Sequence, residues 1–117
     1  MPNTNYRRGV SYEYQIIRDL ICSGYAIAQR SAGSKSMFDI WAIPNTPDKP
    51  VLFIQCKRSK IGISNIEGYF KEDIERVRQL PFLTNIEYHI YIKIDGEGEE
   101  KYRIEKDKLF RFNPITP

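Results

Sequence analysis

Apolar and polar positions follow two different periods along this 117-residue chain, and the switches between them mark out its elements. Over residues 12–23 the period is helical. Glu13, Ile16, Ile17, Leu20 and Ile21 recur at i, i+3, i+4, i+7 and i+8, the spacing that lines one face of a helix. Ser11 supplies an N-cap, and Gly24, just beyond Cys22 and Ser23, ends the helix. The period then drops to two. Residues 25–30, 38–43 and 51–57 read as short strands. The small residues from Ser31 to Ser36 and the Pro- and Asn-rich run from Pro44 to Pro50 separate them. A second helical period covers residues 65–80, with Ile66, Tyr69, Phe70, Ile74, Val77 and Leu80 on one face, Ser64 as N-cap and Pro81 as the stop. Residues 86–94 are rich in β-branched and aromatic side chains and predict a strand. Asp95 to Gly98 form a turn, and residues 101–106 return as its hairpin partner. Leu109 to Phe112 are apolar and either cap the core or face a second subunit.

The element order α, β, β, β, α, β, β implies an α/β domain with a central mixed β-sheet flanked by helices. The length fits one domain over residues 1–117. Hydrophobic residues make up 41% of the chain, with eight Tyr and six Phe, enough to build a core. No apolar run approaches the roughly 20 residues of a membrane span. The first eight residues lack the apolar stretch of a secretory signal and read as a flexible basic arm. The expected location is the cytoplasm, of a cell or of a virus-infected one. Cys22 and Cys56 have no CxxC spacing, so a zinc site is not indicated, and free buried thiols suit a reducing compartment.

The formal net charge is +3 with a pI near 8.9. Its distribution is more informative than its size. Residues 1–60 carry Arg7, Arg8, Arg18, Arg30, Lys35, Lys49, Lys57, Arg58 and Lys60 against Glu13, Asp19, Asp39 and Asp48. The positive half is the half a phosphate backbone would prefer.

Candidate chemistry concentrates in that half. Alternation puts Val51, Phe53, Gln55 and Lys57 on one face of their strand and Leu52, Ile54 and Cys56 on the other. Asp39 lies near the start of the neighbouring strand. An antiparallel pairing would bring the start of one strand beside the end of the other, so that an acid, an amide oxygen and an ammonium meet at one sheet edge. Such a set suits a metal-dependent phosphodiester nuclease. Oxygen ligands hold Mg²⁺, the metal supplies a hydroxide nucleophile, and a lysine stabilises charge on the phosphate. The same pattern also fits a hairpin with solvated polar ends. Glu13 interrupts an apolar stripe, which is costly for an ionised carboxylate unless it is paired or metal-bound. It equally suits a first-turn acid favoured by the helix dipole. The Ser31–Ser36 loop can grip a phosphate through hydroxyls and backbone N–H groups or serve as an ordinary turn. His89, the single histidine, reads as structural.

These residues carry a family resemblance. Arg8-Gly9, Glu13, Gly24-Tyr25, the run Arg30-Ser31-Ala32-Gly33-Ser34, Asp39 and Gln55-Cys56-Lys57 resemble the PD-(D/E)xK nuclease superfamily. Within it they are similar to archaeal-type Holliday junction resolvases of the Hjc/Hje group, over about residues 7–60. The resemblance implies a restriction-endonuclease-like fold and its strand order. It also implies a homodimer that binds branched, four-way DNA and cleaves it with Mg²⁺, or Mn²⁺ as substitute, to leave a 5′-phosphate. Metal ligation would fall to Glu13, Asp39 and Gln55, with the backbone carbonyl after Gln55. Catalytic assistance would fall to Lys57 and Ser34, and DNA contact to Arg7, Arg8, Arg30, Lys35, Arg58 and Lys60. The family usually has Glu where this chain has Gln55, which removes a full charge and implies weaker or altered metal binding. Two alternatives follow: a related nuclease with another DNA substrate, or a junction-binding protein without activity.

Overall fold

The computed structural model describes residues 4–31 and 36–112, the side chains of residues 4–8 excepted. Six strands form one mixed sheet in the order of the sequence. β1 (Tyr25–Arg30), β2 (Ile40–Pro44) and β3 (Val51–Ser59) pair antiparallel; β3 and β4 (Ile86–Ile94) run parallel; β5 (Gly98–Ile104) and β6 (Leu109–Arg111) return antiparallel. Parallel neighbours need a long crossover. It is supplied by α2 (Ile66–Tyr69) and α3 (Lys71–Arg78).

The helices divide the core between the two faces of the sheet. On one, Tyr12, Ile16 and Leu20 of α1 (Thr4–Cys22) lie against Ala28, Ala42, Leu52, Ile54 and Tyr91. On the other, Ile74 and Val77 of α3 meet Tyr88, Ile90, Ile92 and Ile104. β4 is therefore buried on both faces over its middle, as its Ile- and Tyr-rich run, interrupted by His89, favours.

Several expectations are corrected. α1 begins at Thr4, so Ser11 is interior to it, and residues 4–8 of the expected arm are helical; residues 1–3 lie outside the described residues. Gly9 is tolerated because one glycine costs a helix only about 1 kcal/mol. The buried stripe is Tyr12, Ile16 and Leu20, while Ile21 is exposed. Cys22 is exposed and Cys56 half-buried. The second helix is two pieces broken at Phe70, and its cap is Asn65, whose side chain accepts from Gly68 N–H, rather than Ser64. Leu109–Arg111 add a sixth strand. At the end of α1, Gly24 does take the left-handed conformation, φ +101°.

Candidate active site

The site develops where β2 ends its contact with β3. Their antiparallel ladder runs from Ala42 opposite Leu52 to Ile40 opposite Ile54. One residue further, Asp39 N–H still donates to Ile54 O at 2.8 Å. The next β3 donor, Cys56 N–H, finds no strand beside it and donates instead to Asp39 Oδ2 at 2.7 Å. The carboxylate thus continues the ladder as a side chain, lying at the edge of β3 rather than on either face. β1 braces it from the other side, since Ser31 N–H donates to Asp39 O at 2.8 Å.

Gln55 and Lys57 leave β3 on the α2–α3 face, as their parallel partners Ile90 and Ile92 show. Gln55 is 3% exposed. Its Nε2 donates to Met37 O at a long 3.3 Å, while its buried Oε1 has no hydrogen-bond partner. Met37 is two residues from Asp39, so a single turn of chain links the amide to the carboxylate. Lys57 Nζ lies 3.1 Å from Asp73 Oδ2 of α3.

Glu13 approaches from the opposite, α1 face. Its Oε1 accepts from Arg30 Nε at 2.8 Å, and the Arg30 guanidinium also lies over the Tyr14 ring. Tyr12, the preceding residue, anchors this part of α1 by donating from its hydroxyl to Glu99 Oε2 at 2.8 Å. Burial above all, and then Glu99, push the Tyr12 phenol far above its usual range. Cys56 lies among these groups. Burial raises its thiol well above the ordinary value, and Asp39, Glu13 and Glu99 raise it further while Lys57 opposes them. The thiol is accordingly protonated and inert.

β3 runs on to Ser59, so the expected residues gather not at its end but where it passes beyond the β2 ladder, and they reach it from different sides: Glu13 from one face, Asp39 along the edge, Gln55 and Lys57 from the other face. Ser34 and Lys35 lie outside the described residues, as do the side chains of Arg7 and Arg8, although the backbone of both arginines belongs to α1. Arg58 and Lys60 line a cleft of about 320 Å³ with Gly9, Ser59 and Asp95, and Asp95 accepts from Arg58. An adjoining cleft of about 180 Å³ places Arg58 beside Lys93, Ser11 and Gln15. Two contributors were missed by sequence. Lys93 comes from a strand read only for its apolar pattern, and Asp73 from a helix whose many charges give no sign of which one faces β3.

The arrangement presents a carboxylate and an unpartnered amide oxygen where the β2–β3 ladder stops, with an ammonium two residues further along β3. That donor set suits a hard, oxygen-loving cation. Among the described residues no cluster of three or more His, Cys, Asp or Glu side chains occurs; Gln55 is what extends the acid set. A solved structure bears on the architecture: Archaeoglobus fulgidus Hjc, a Holliday junction resolvase from an archaeal hyperthermophile. It matches with a TM-score of 0.54 at 21% identity, covering 91% of this chain and 84% of that one. The chain has the fold of that resolvase. No protein-family model matches the sequence, and no curated protein does. The likeness to Hjc thus fixes the mixed sheet and its flanking helices as a restriction-endonuclease-like fold.

Proposed function

We propose that this chain is a structure-specific endodeoxyribonuclease that resolves four-way (Holliday) junctions by metal-dependent phosphodiester hydrolysis, in DNA recombination and repair. The observations that carry the reading are the Asp39 carboxylate where β2 leaves β3 and the buried Oε1 of Gln55, which has no hydrogen-bond partner among the described residues. A buried acceptor without a partner costs about 1–3 kcal/mol, a cost that a cation or its water would offset. The resolvase fold supports the same reading.

Asp39 and Gln55 would hold Mg²⁺, or Mn²⁺ in its place, with Glu13 as the second carboxylate. The bound cation would supply an activated water and neutralise charge on the phosphate. The Cys56 N–H bond fixes where the Asp39 carboxylate points. Lys57 would stabilise the crowded, doubly charged phosphate as its charge develops. Ser34 would position the scissile strand. Arg7, Arg8, Arg30, Lys35, Arg58 and Lys60 would hold flanking phosphates, the main source of affinity for DNA. A junction offers two symmetric scissile strands, which suits a two-fold homodimer acting in the cytoplasm.

One feature favours a second reading, a junction binder without activity. Glu13 is committed to Arg30 and Gln55 is neutral, so Asp39 is the carboxylate there without a basic partner among the described residues. Labelled junction, duplex and single-stranded DNA, each incubated with Mg²⁺ and with Mn²⁺, separate the readings. Symmetric nicks in the junction are expected. Cutting confined to duplex or single strands would indicate a nuclease with another substrate, and tight junction binding without cuts in either metal would indicate the binder.

A further inference from the structure

The elbow between α2 and α3 lies against the one candidate catalytic cation. The Lys57 ammonium is 3.1 Å from Asp73 Oδ2, in the first turn of α3, and 5.8 Å from the centre of the Phe70 ring. Phe70 is the residue at which the helix breaks, with φ −108° and ψ 34°. It is buried in the core, so the elbow is anchored from beneath. A lysine stem is flexible and its head is a point charge with three donors. Asp73 pairs with the ammonium from one side and the Phe70 ring lies under it from another, which leaves donors for a phosphate oxygen. Lys57 remains about a quarter exposed, at 28% of its side chain, so DNA can reach it.

We infer that Asp73 is a positioning residue for Lys57: together with Phe70 it holds the ammonium where the phosphate would react. The inference rests on the nuclease reading above. Glu72 provides the matched control. It occupies the same first turn of α3, so its loss removes the same kind of favourable charge from the helix start. It makes no ion pair among the described residues.

The test compares the full-length wild type with Asp73→Asn, Asp73→Glu, Glu72→Gln and Lys57→Met. It measures junction cleavage in Mg²⁺ and, by NMR relaxation, the mobility of the Lys57 side chain. Asp73→Asn should lower kcat by about 10- to 100-fold, the scale of a misplaced catalytic group, with KM and junction affinity unchanged. Asp73→Glu should recover most of the rate, and Glu72→Gln should match the wild type. In Asp73→Asn the Lys57 ammonium should become as mobile as that of exposed Lys71. Cleavage by Asp73→Asn at the Glu72→Gln rate, or a Lys57 as ordered as in the wild type, overturns the inference while leaving the nuclease reading intact. Normal cleavage by Lys57→Met overturns the inference together with the catalytic role of Lys57, while the chain remains a nuclease. If no DNA is cut at all, the mobility comparison still decides whether Asp73 holds Lys57.

Discussion

Two polar side chains are buried in the sheet, one strand apart, and they are treated in opposite ways. His89 of β4 is 4% exposed and Gln55 of β3 is 3% exposed. In the parallel register His89 lies beside Ile54, and Gln55 beside Ile90, so the two point to opposite faces. Both ring nitrogens of His89 are used: Nε2 donates to Glu87 Oε1 at 2.9 Å, and Nδ1 accepts from the Tyr91 hydroxyl at 2.8 Å. Burial holds the imidazole below its usual pKa against the pull of Glu87, so it is neutral. The hydrogen bond from His89 in turn lowers the Glu87 carboxyl. Gln55 has one long bond and one acceptor with nothing to accept. A fully satisfied buried network gives structure. An unsatisfied acceptor in the middle of β3, just past the end of the β2 ladder, is the exception that calls for a partner.

The largest expected effect lies at the Gln55 end. Asp39→Asn should lower junction cleavage by about 10³-fold, the scale of removing a charge-stabilising group from an active site, while binding in a gel-shift assay persists. Cleavage at an undiminished rate would put the chemistry elsewhere. At the satisfied site, His89→Leu strands the buried Tyr91 hydroxyl, leaves Glu87 with Arg103 alone, and should cost about 2 kcal/mol of stability in urea titration. Gln55→Leu removes an unpartnered acceptor with its side chain and should change stability by less than about 1 kcal/mol. Equal losses from the two substitutions would erase the contrast. The smallest effect is a pH dependence. His89 is held below its ordinary 6.5 in the fold, so the unfolded chain binds a proton first as the solution acidifies. Stability should be fully present above pH 6.5 and fall as pH drops below it. Glu87, also lowered, extends the loss at still more acid pH. Thermal melts of the wild type and His89→Leu across this range should show the first slope only in the wild type.

Legibility from sequence varied with how local the determining physics was. β4 was read with its correct ends because six of its nine residues are Ile or Tyr, which favour strands. The left-handed Gly24 was equally local. Asp39 and residues 55–57 share a neighbourhood as antiparallel pairing of two short neighbours requires, although β3 does not end at Lys57 but runs on to Ser59. What escaped was set by tertiary contact. Tyr12 rather than Glu13 leads the buried stripe of α1, since a tyrosine can face either way until its hydroxyl finds Glu99. Spacing along a helix does not say above which face of a sheet it will lie, so the approach of Glu13 from the side opposite Gln55 and Lys57 was invisible. The break at Phe70 is likewise a packing event: that ring is buried in the core on this side of the sheet, where a continuous helical pattern is interrupted.

The most direct test of the Asp39–Gln55 site is Mn²⁺ binding, followed by electron paramagnetic resonance without DNA, in the wild type, Asp39→Asn and Gln55→Glu. A cation held by Asp39 and Gln55 predicts one Mn²⁺ per chain, lost in Asp39→Asn and bound more tightly in Gln55→Glu, which adds a full ligand charge. Mn²⁺ affinity that is the same in all three proteins would contradict it.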